Sequence, residues 1–204
     1  MQTSDTDSFH AFVQRVLDAL AAADITYLIG GAVALAAWGD PRTTRDLNLV
    51  IELPFESMTA LSRELAQRGM LVPVENMVDL MIEHRADLPL NAIDMHSGYK
   101  AEFFLLKPGD VFRASSLARR RLVDLGPALG EVYIHAPEDL ILNKLHYFQI
   151  SQQPKHTRDI AGIVLNLGQE LDYDYIDRWV QPLGLFDTWQ DMQKHIVQLR
   201  DQRS

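Results

Sequence analysis

The chain has 204 residues, 47% of them hydrophobic, enough for one sizeable domain or a core with an appendage. Its formal net charge of −9 argues against a broad, non-specific grip on nucleic acid, and the absence of cysteine excludes disulfides and thiolate metal sites. No apolar run reaches about 18 residues, and "MQTSDTDSFHAF" lacks a basic stretch followed by an apolar one, so neither a membrane span nor a signal peptide is expected and the cytoplasm is the default location.

In chain order, Phe9, Phe12, Val13, Val16, Leu17 and Leu20 recur at helical spacing, predicting an amphipathic helix over 8–23 capped between Ser4 and Ser8. "ITYLIGG" is a short apolar strand running into a glycine turn. "AVALAAWG" has the small residues of a tightly packed helix, stopped by Gly39 and Pro41. "DLNLVIEL" predicts a strand, and "FESMTALSRELAQRG" a helix closed by Gly69. "MLVPV" and "VDLMIEHR" are candidate strands, the second equally compatible with a helix. In "LNAIDMHSGYKAEFFLL" two extended runs flank Ser97-Gly98, a hairpin turn signal. "GDVFRASSLARR" predicts a helix, and "RLVDLGPALGEVYIHA" a second hairpin around Gly126 to Gly130. After Pro137 four helical segments follow, with glycine stops at 168 and 184. The fold class expected is α/β (α+β): a mixed β-sheet flanked by helices over 1–136, then a helical region over 137–204 packed on that core.

The chemistry concentrates in "IGGAVALAAWGDPRTTRDLNLVI", residues 29–51. Residues i and i+2 of a strand share a face, so Asp46 and Asn48 project together. Two carboxylates so placed would bridge divalent ions that hold a nucleoside triphosphate. The Gly30-Gly31 turn lets backbone N–H groups approach a phosphate, because no Cβ intervenes and a helix N-terminus follows.

On these residues the chain resembles the DNA polymerase β-like nucleotidyltransferase superfamily, especially its small bacterial branch related to abortive-infection and toxin-type enzymes. "YLIGGAVALAAWGDPRTTRDLNLVI" carries a glycine pair and acidic motif like the family's. "HAPEDLILNKLHYF" looks like its Pro-Glu-Asp-Leu helix, "KHTRDIAGIV" like its Arg-Asp helix, and "LDYDYIDRWVQPLGL" like the tail of close relatives. The resemblance implies a nucleotidyltransferase-type fold, Mg²⁺ or Mn²⁺ as cofactor, and a third carboxylate on a neighbouring strand. Glu102, in "GYKAEFF", fits the branch's register and interrupts an apolar strand, where a buried carboxylate needs a cation or donors. Asp94 is the alternative third acid. Asp46, Asn48 and Glu102 are thus the candidate catalytic and metal-holding set.

Asn48 departs from the pattern, which has aspartate there. An amide binds a hard cation only weakly, and at ~4 Å, with an effective dielectric of about 20, the missing charge is worth a few kcal/mol. Three accounts stand: deliberate disabling of an enzyme, natural loss, or a single metal on Asp46 and Glu102 sufficing.

The resemblance also implies that Lys144 approaches the nucleotide phosphates or structures the site, with Arg158 and Asp159 in support. Asp159 is a natural partner for Lys144, and a plain salt bridge is the simpler reading. Arg42, Thr43, Thr44 and Arg45 are candidate phosphate or substrate contacts, with loop turn chemistry as the plain alternative. "RASSLARRR", residues 113–121, is the densest basic cluster. No histidine pair has the His-Glu-x-x-His zinc spacing, so the histidines are assigned structural roles. Trp38, Trp179 and Trp189 are read as packing anchors, and Ser97 as a turn residue.

The leading expectation is an enzyme that moves a nucleoside monophosphate from a triphosphate such as ATP onto an acceptor hydroxyl, with a carboxylate near the acceptor as general base. The acceptor is a tRNA end, a protein side chain or a small molecule such as an aminoglycoside. The alternatives are an inactive nucleotide- or partner-binding protein of the same fold, and a toxin held in check by an antitoxin partner.

Overall fold

The computed structural model of the chain describes residues 8–83 and 87–201. The stretch 1–7 and the His84-Arg85 end of "VDLMIEHR" lie outside the described residues. In chain order the elements are α1 (Phe9–Ala22), β1 (Thr26–Ile29), α2 (Gly31–Trp38), β2 (Asp46–Glu52), α3 (Met58–Gln67), α4 (Val74–Ile82), β3 (Leu90–Ile93), β4 (Lys100–Leu105), α5 (Val111–Ala118), β5 (Arg121–Asp124), β6 (Glu131–Ile134), α6 (Pro137–Ser151), α7 (Pro154–Leu167), α8 (Tyr173–Val180) and α9 (Phe186–Asp201). The α/β expectation holds.

The chain divides into two compact units. The first takes the segment ending at Gly30 and Thr43–Ile134; the second takes Gly31–Arg42 and the chain from His135 onward. The sequence had suggested a division near 136, with 31–42 in the core.

The first unit carries a six-stranded sheet of order β3-β4-β2-β1-β6-β5. β2 runs antiparallel to β1 and parallel to β4. Side-chain alternation sorts this sheet into two faces. Leu47, Leu49 and Ile51 of β2 share one face with Ala101, Phe103 and Leu105 of β4, and all six are buried. Asp94 ends this face from the β3 side, and α1 reaches it there: Arg15 Nη2 lies 2.6 Å from Asp94 Oδ2. α1 begins where Ser8 caps it, its Oγ accepting from the Ala11 amide at 3.1 Å. Its apolar stripe, Phe12, Val13, Val16, Leu17 and Leu20, is buried, and α1 packs on α3. Each such side chain contributes about 1.5–3 kcal/mol on full burial.

The opposite face is apolar only in part. Leu28, Val50 and Phe104 pack there with Leu106 under Leu117 of α5. Along β2 and β4 the same face then turns polar, and that polar end carries the site.

Two of the uncertain segments are resolved. "MLVPV" forms only one isolated bridge, Met70 to Asp94, and Pro73 instead precedes α4. "VDLMIEHR" is helical as far as it is described: Val78 and Met81 are partly buried at helical spacing with Val74 and the buried Met77. The second hairpin turns through Gly126 and Gly130, both at positive φ, as the turn signal required.

In the second unit α2 packs on α6 and α7, and α6 on α7 and α8. Gly39 is needed here: a Cβ would sit 3.2 Å from the Ile163 amide nitrogen. Trp189 is buried, with its indole N–H donating to Asp177 Oδ1 at 3.2 Å. Among the described residues no helix is long and apolar enough to cross a membrane.

Candidate active site

Parallel pairing sets Asp46 beside Lys100 and Asn48 beside Glu102. All four side chains leave the sheet on the same side, where α5 no longer covers it. Lys100 Nζ lies 2.6 Å from Glu102 Oε1 and 3.7 Å from Asp46 Oδ1. The two carboxylates therefore converge on one positively charged point. Asp46 is half exposed, at 51% of its side chain, and Glu102 more enclosed, at 20%. The Glu102 hydrogen bond, aided by the Asp46 charge and only partly opposed by burial, holds the Lys100 ammonium above the ordinary lysine range.

Lys100 was not singled out in the sequence. The signal was present: it stands two residues before Glu102 on the same strand, the spacing that joined Asp46 to Asn48.

Asp94 is not brought to this cluster. It lies on the other face, 1% exposed, where it accepts from Arg15, from Ser97 Oγ at 2.6 Å and from the His96 amide at 3.2 Å. Burial pushes its carboxyl up, but Ser97, His96 and Arg15 more than offset this and hold it below the usual range. The alternative third acid is thus a buried structural group, and Ser97 does more than turn the chain.

The loop before β2 is tied down locally. Thr44 Oγ1 accepts from the Asp46 amide at 3.1 Å and donates to the Asp46 carbonyl at 3.0 Å, fixing the start of the strand. Arg45 sits over the Tyr99 ring, 5.1 Å from its centroid, and donates to the Ser97 carbonyl at 2.9 Å. Gly30 donates its amide to the Asn48 carbonyl at 2.8 Å, so that amide is used by the sheet and not offered to a phosphate. Gly31 opens α2 at φ 62, a conformation that favours glycine.

Within the second unit, Lys144 is 4% exposed and donates to Asp159 Oδ2 at 2.6 Å; Arg42 Nε reaches the same oxygen at 3.3 Å. Burial pushes the Lys144 ammonium below the ordinary lysine range despite Asp159. Arg158 is exposed. The acids of "PED", Glu138 and Asp139, are buried. Asp139 accepts from the Tyr175 hydroxyl at 2.6 Å, and Glu138 from the Asp172 amide at 3.1 Å. Their signal was two acids opening an otherwise apolar helix.

His156 stacks on Tyr147 at 6.3 Å, and its Nδ1 is buried without a hydrogen-bond partner. Burial, reinforced by Lys155 and Lys144, pulls its pKa from 6.5 to about 4. Between these values the unfolded chain binds a proton that the folded one refuses. Stability should therefore fall as the pH drops from 6.5 towards 4, by about 1–2 kcal/mol after discounting for solvent screening. Chemical denaturation across that range checks this: His156→Phe, which keeps a ring on Tyr147, should flatten the wild-type slope.

The basic run at 113–121 is largely committed to the fold. Arg113 pairs with Asp87 and Asp110, and Arg120 lies over the Tyr133 ring and donates to the Leu117 carbonyl.

No protein-family model and no curated protein sequence matches this chain. Solved structures do. The solution structure of the antibiotic-resistance factor ANT(2'')-Ia is similar with a TM-score of 0.60 at 15% identity, covering 91% of this chain and 97% of that one. The crystal structure of ANT(2'')-Ia in complex with adenylyl-2''-tobramycin is similar with a TM-score of 0.51 at 16% identity, covering 79% and 90%. The chain has the nucleotidyltransferase fold.

Proposed function

We propose that the protein is a cation-dependent nucleotidyltransferase that moves a nucleoside monophosphate from a triphosphate to the hydroxyl of a small polar acceptor. The observation that carries this reading is the convergence of Asp46 and Glu102, from adjacent parallel strands, on the single cationic point held by Lys100.

The donor set suits one Mg²⁺ or Mn²⁺: two carboxylates and the side-chain amide oxygen of Asn48 are hard oxygen ligands. The stand-in ammonium supports this, since it sits where their charges overlap. Among the described residues no group of three or more His, Cys, Asp and Glu side chains is arranged to hold a metal. A bound divalent ion would neutralise phosphate charge and polarise the phosphoryl oxygens. Asp46 and Glu102 would fix the triphosphate against the open end of the sheet. As the acceptor oxygen bonds to the α-phosphorus and pyrophosphate leaves, the acceptor's proton passes to a carboxylate. Asp46 Oδ is the more open of the two.

A small acceptor is favoured over tRNA by the net charge of −9 and by the committed arginines of 113–121. The likeness to a fold solved with an adenylylated aminoglycoside supports the same choice. Nothing in the fold argues for an antitoxin partner.

A second reading, nucleotide binding without turnover, is favoured by Asn48 itself. One assay separates the two. The protein is incubated with Mn²⁺, each of four α-labelled triphosphates, and aminoglycosides, total tRNA or protein extract. The expected result is label on a small acceptor, with Asn48→Asp raising the rate roughly a hundredfold, the worth of a few kcal/mol. Triphosphate binding without transfer by either form would leave the binding reading.

A further inference from the structure

Lys100 is the feature of the site that a carboxylate pair alone does not require. Its ammonium sits 2.6 Å from Glu102 and 3.7 Å from Asp46, and two thirds of its side chain is shielded from solvent. Lys100 stands directly opposite Asp46 across the parallel ladder. Asn48, opposite Glu102, adds no negative charge.

The charge count follows. Asp46 and Glu102 are two negative charges and Lys100 one positive, so one divalent ion already leaves this face with a single net positive charge. Without triphosphate, a second ion on Glu102 would meet the Lys100 ammonium within hydrogen-bond distance of its own ligand, with no further carboxylate to offset it. A lysine ammonium is a compact charge on a flexible stem, able to turn from a carboxylate to a phosphate oxygen a few ångströms away. Arg45, the cation immediately before β2, is engaged elsewhere, with the Ser97 carbonyl and the Tyr99 ring.

We propose that Lys100 is a tethered cation that takes the place of a second metal: with triphosphate the site loads one divalent ion, and Lys100 moves from Glu102 onto the phosphate oxygens. This rests on the nucleotide-binding part of the reading above, not on turnover.

Bound Mn²⁺ is counted by electron paramagnetic resonance on the full chain, with and without the α,β-methylene analogues of the four ribonucleoside triphosphates. One Mn²⁺ per chain is expected with an analogue present. Lys100→Met should shift two affinities in opposite directions, each by about tenfold, the scale of one charged contact: tighter for Mn²⁺ alone, weaker for the analogue. Asn48→Asp combined with Lys100→Met should take two ions. Two ions on the wild type, or a Lys100→Met variant that moves both affinities the same way or neither, would overturn the proposal. The wild-type count stands even if a variant fails to fold. One ion with no transfer to any acceptor would remove the enzyme reading and leave the Lys100 assignment. Two ions with transfer would do the reverse, and no ion would remove both.

Discussion

Glu102→Gln is expected to abolish Mn²⁺-supported triphosphate binding and transfer together, by a factor on the order of a hundred or more. The substitution keeps the size and shape of the side chain and removes one charge. In the cluster around Lys100 that charge is half of the negative charge, because Asn48 supplies none. What remains is Asp46 against Lys100, a neutral pair at 3.7 Å. A divalent ion would then have one exposed carboxylate to bind and an ammonium beside it. Calorimetric titration of Mn²⁺ with triphosphate analogue is the direct measurement, and labelled transfer the second. A variant that binds and transfers like the wild type would show that Glu102 serves only to pair with Lys100.

Lys144→Met is expected to destabilise the protein by about 3–5 kcal/mol, the cost of leaving one member of a buried ion pair behind. Asp159 is 6% exposed, and after the change it retains only Arg42, at 3.3 Å through a partly exposed side chain. For a chain of this length such a loss lowers the melting temperature by roughly 10 °C. The double variant Lys144→Met, Asp159→Leu should recover most of it, because an apolar pair of similar volume needs no compensation. Thermal unfolding followed by circular dichroism distinguishes the cases. Equal losses in the single and double variants would mean that Lys144 stabilises through packing of its stem and not through the pair.

Much of the fold was legible because local chemistry and long-range packing agree. Ser8 caps α1 where a polar stretch meets an apolar stripe, and the hairpin around Gly98 turns where Ser-Gly said it would. The parity of β2 sufficed to put Asp46 and Asn48 on one face. Parity could not choose between Asp94 and Glu102, since each interrupts an apolar run. In the structure Asp94 is held on the opposite face by Arg15, 79 residues away in sequence, a distance no local pattern spans. The Gly30 amide illustrates the same limit. Its partner, the Asn48 carbonyl, is supplied by the β1–β2 pairing, and pairing is not written in the glycine turn itself. "MLVPV" failed as a strand because its apolar residues are drawn into the core around α3 and α4, not into a ladder. Met70 and Val72 are buried, yet only Met70 makes a bridge.

The Lys144–Asp159 contact was readable as a pairing of two quoted helices, and it forms. The loop residues Thr44 and Arg45 show the opposite case. Their polarity was visible, but their bonds to Asp46 and Ser97 depend on where β2 and the β3–β4 turn meet.

The most direct test of the account is a crystal grown with Mn²⁺ and a non-hydrolysable triphosphate and measured for anomalous scattering. The account predicts one strong peak at coordination distance, about 2–2.5 Å, from carboxylate oxygens of both Asp46 and Glu102, with phosphate oxygens completing the shell. A metal-bound triphosphate lying elsewhere, with the Lys100–Glu102 pair intact, would contradict it.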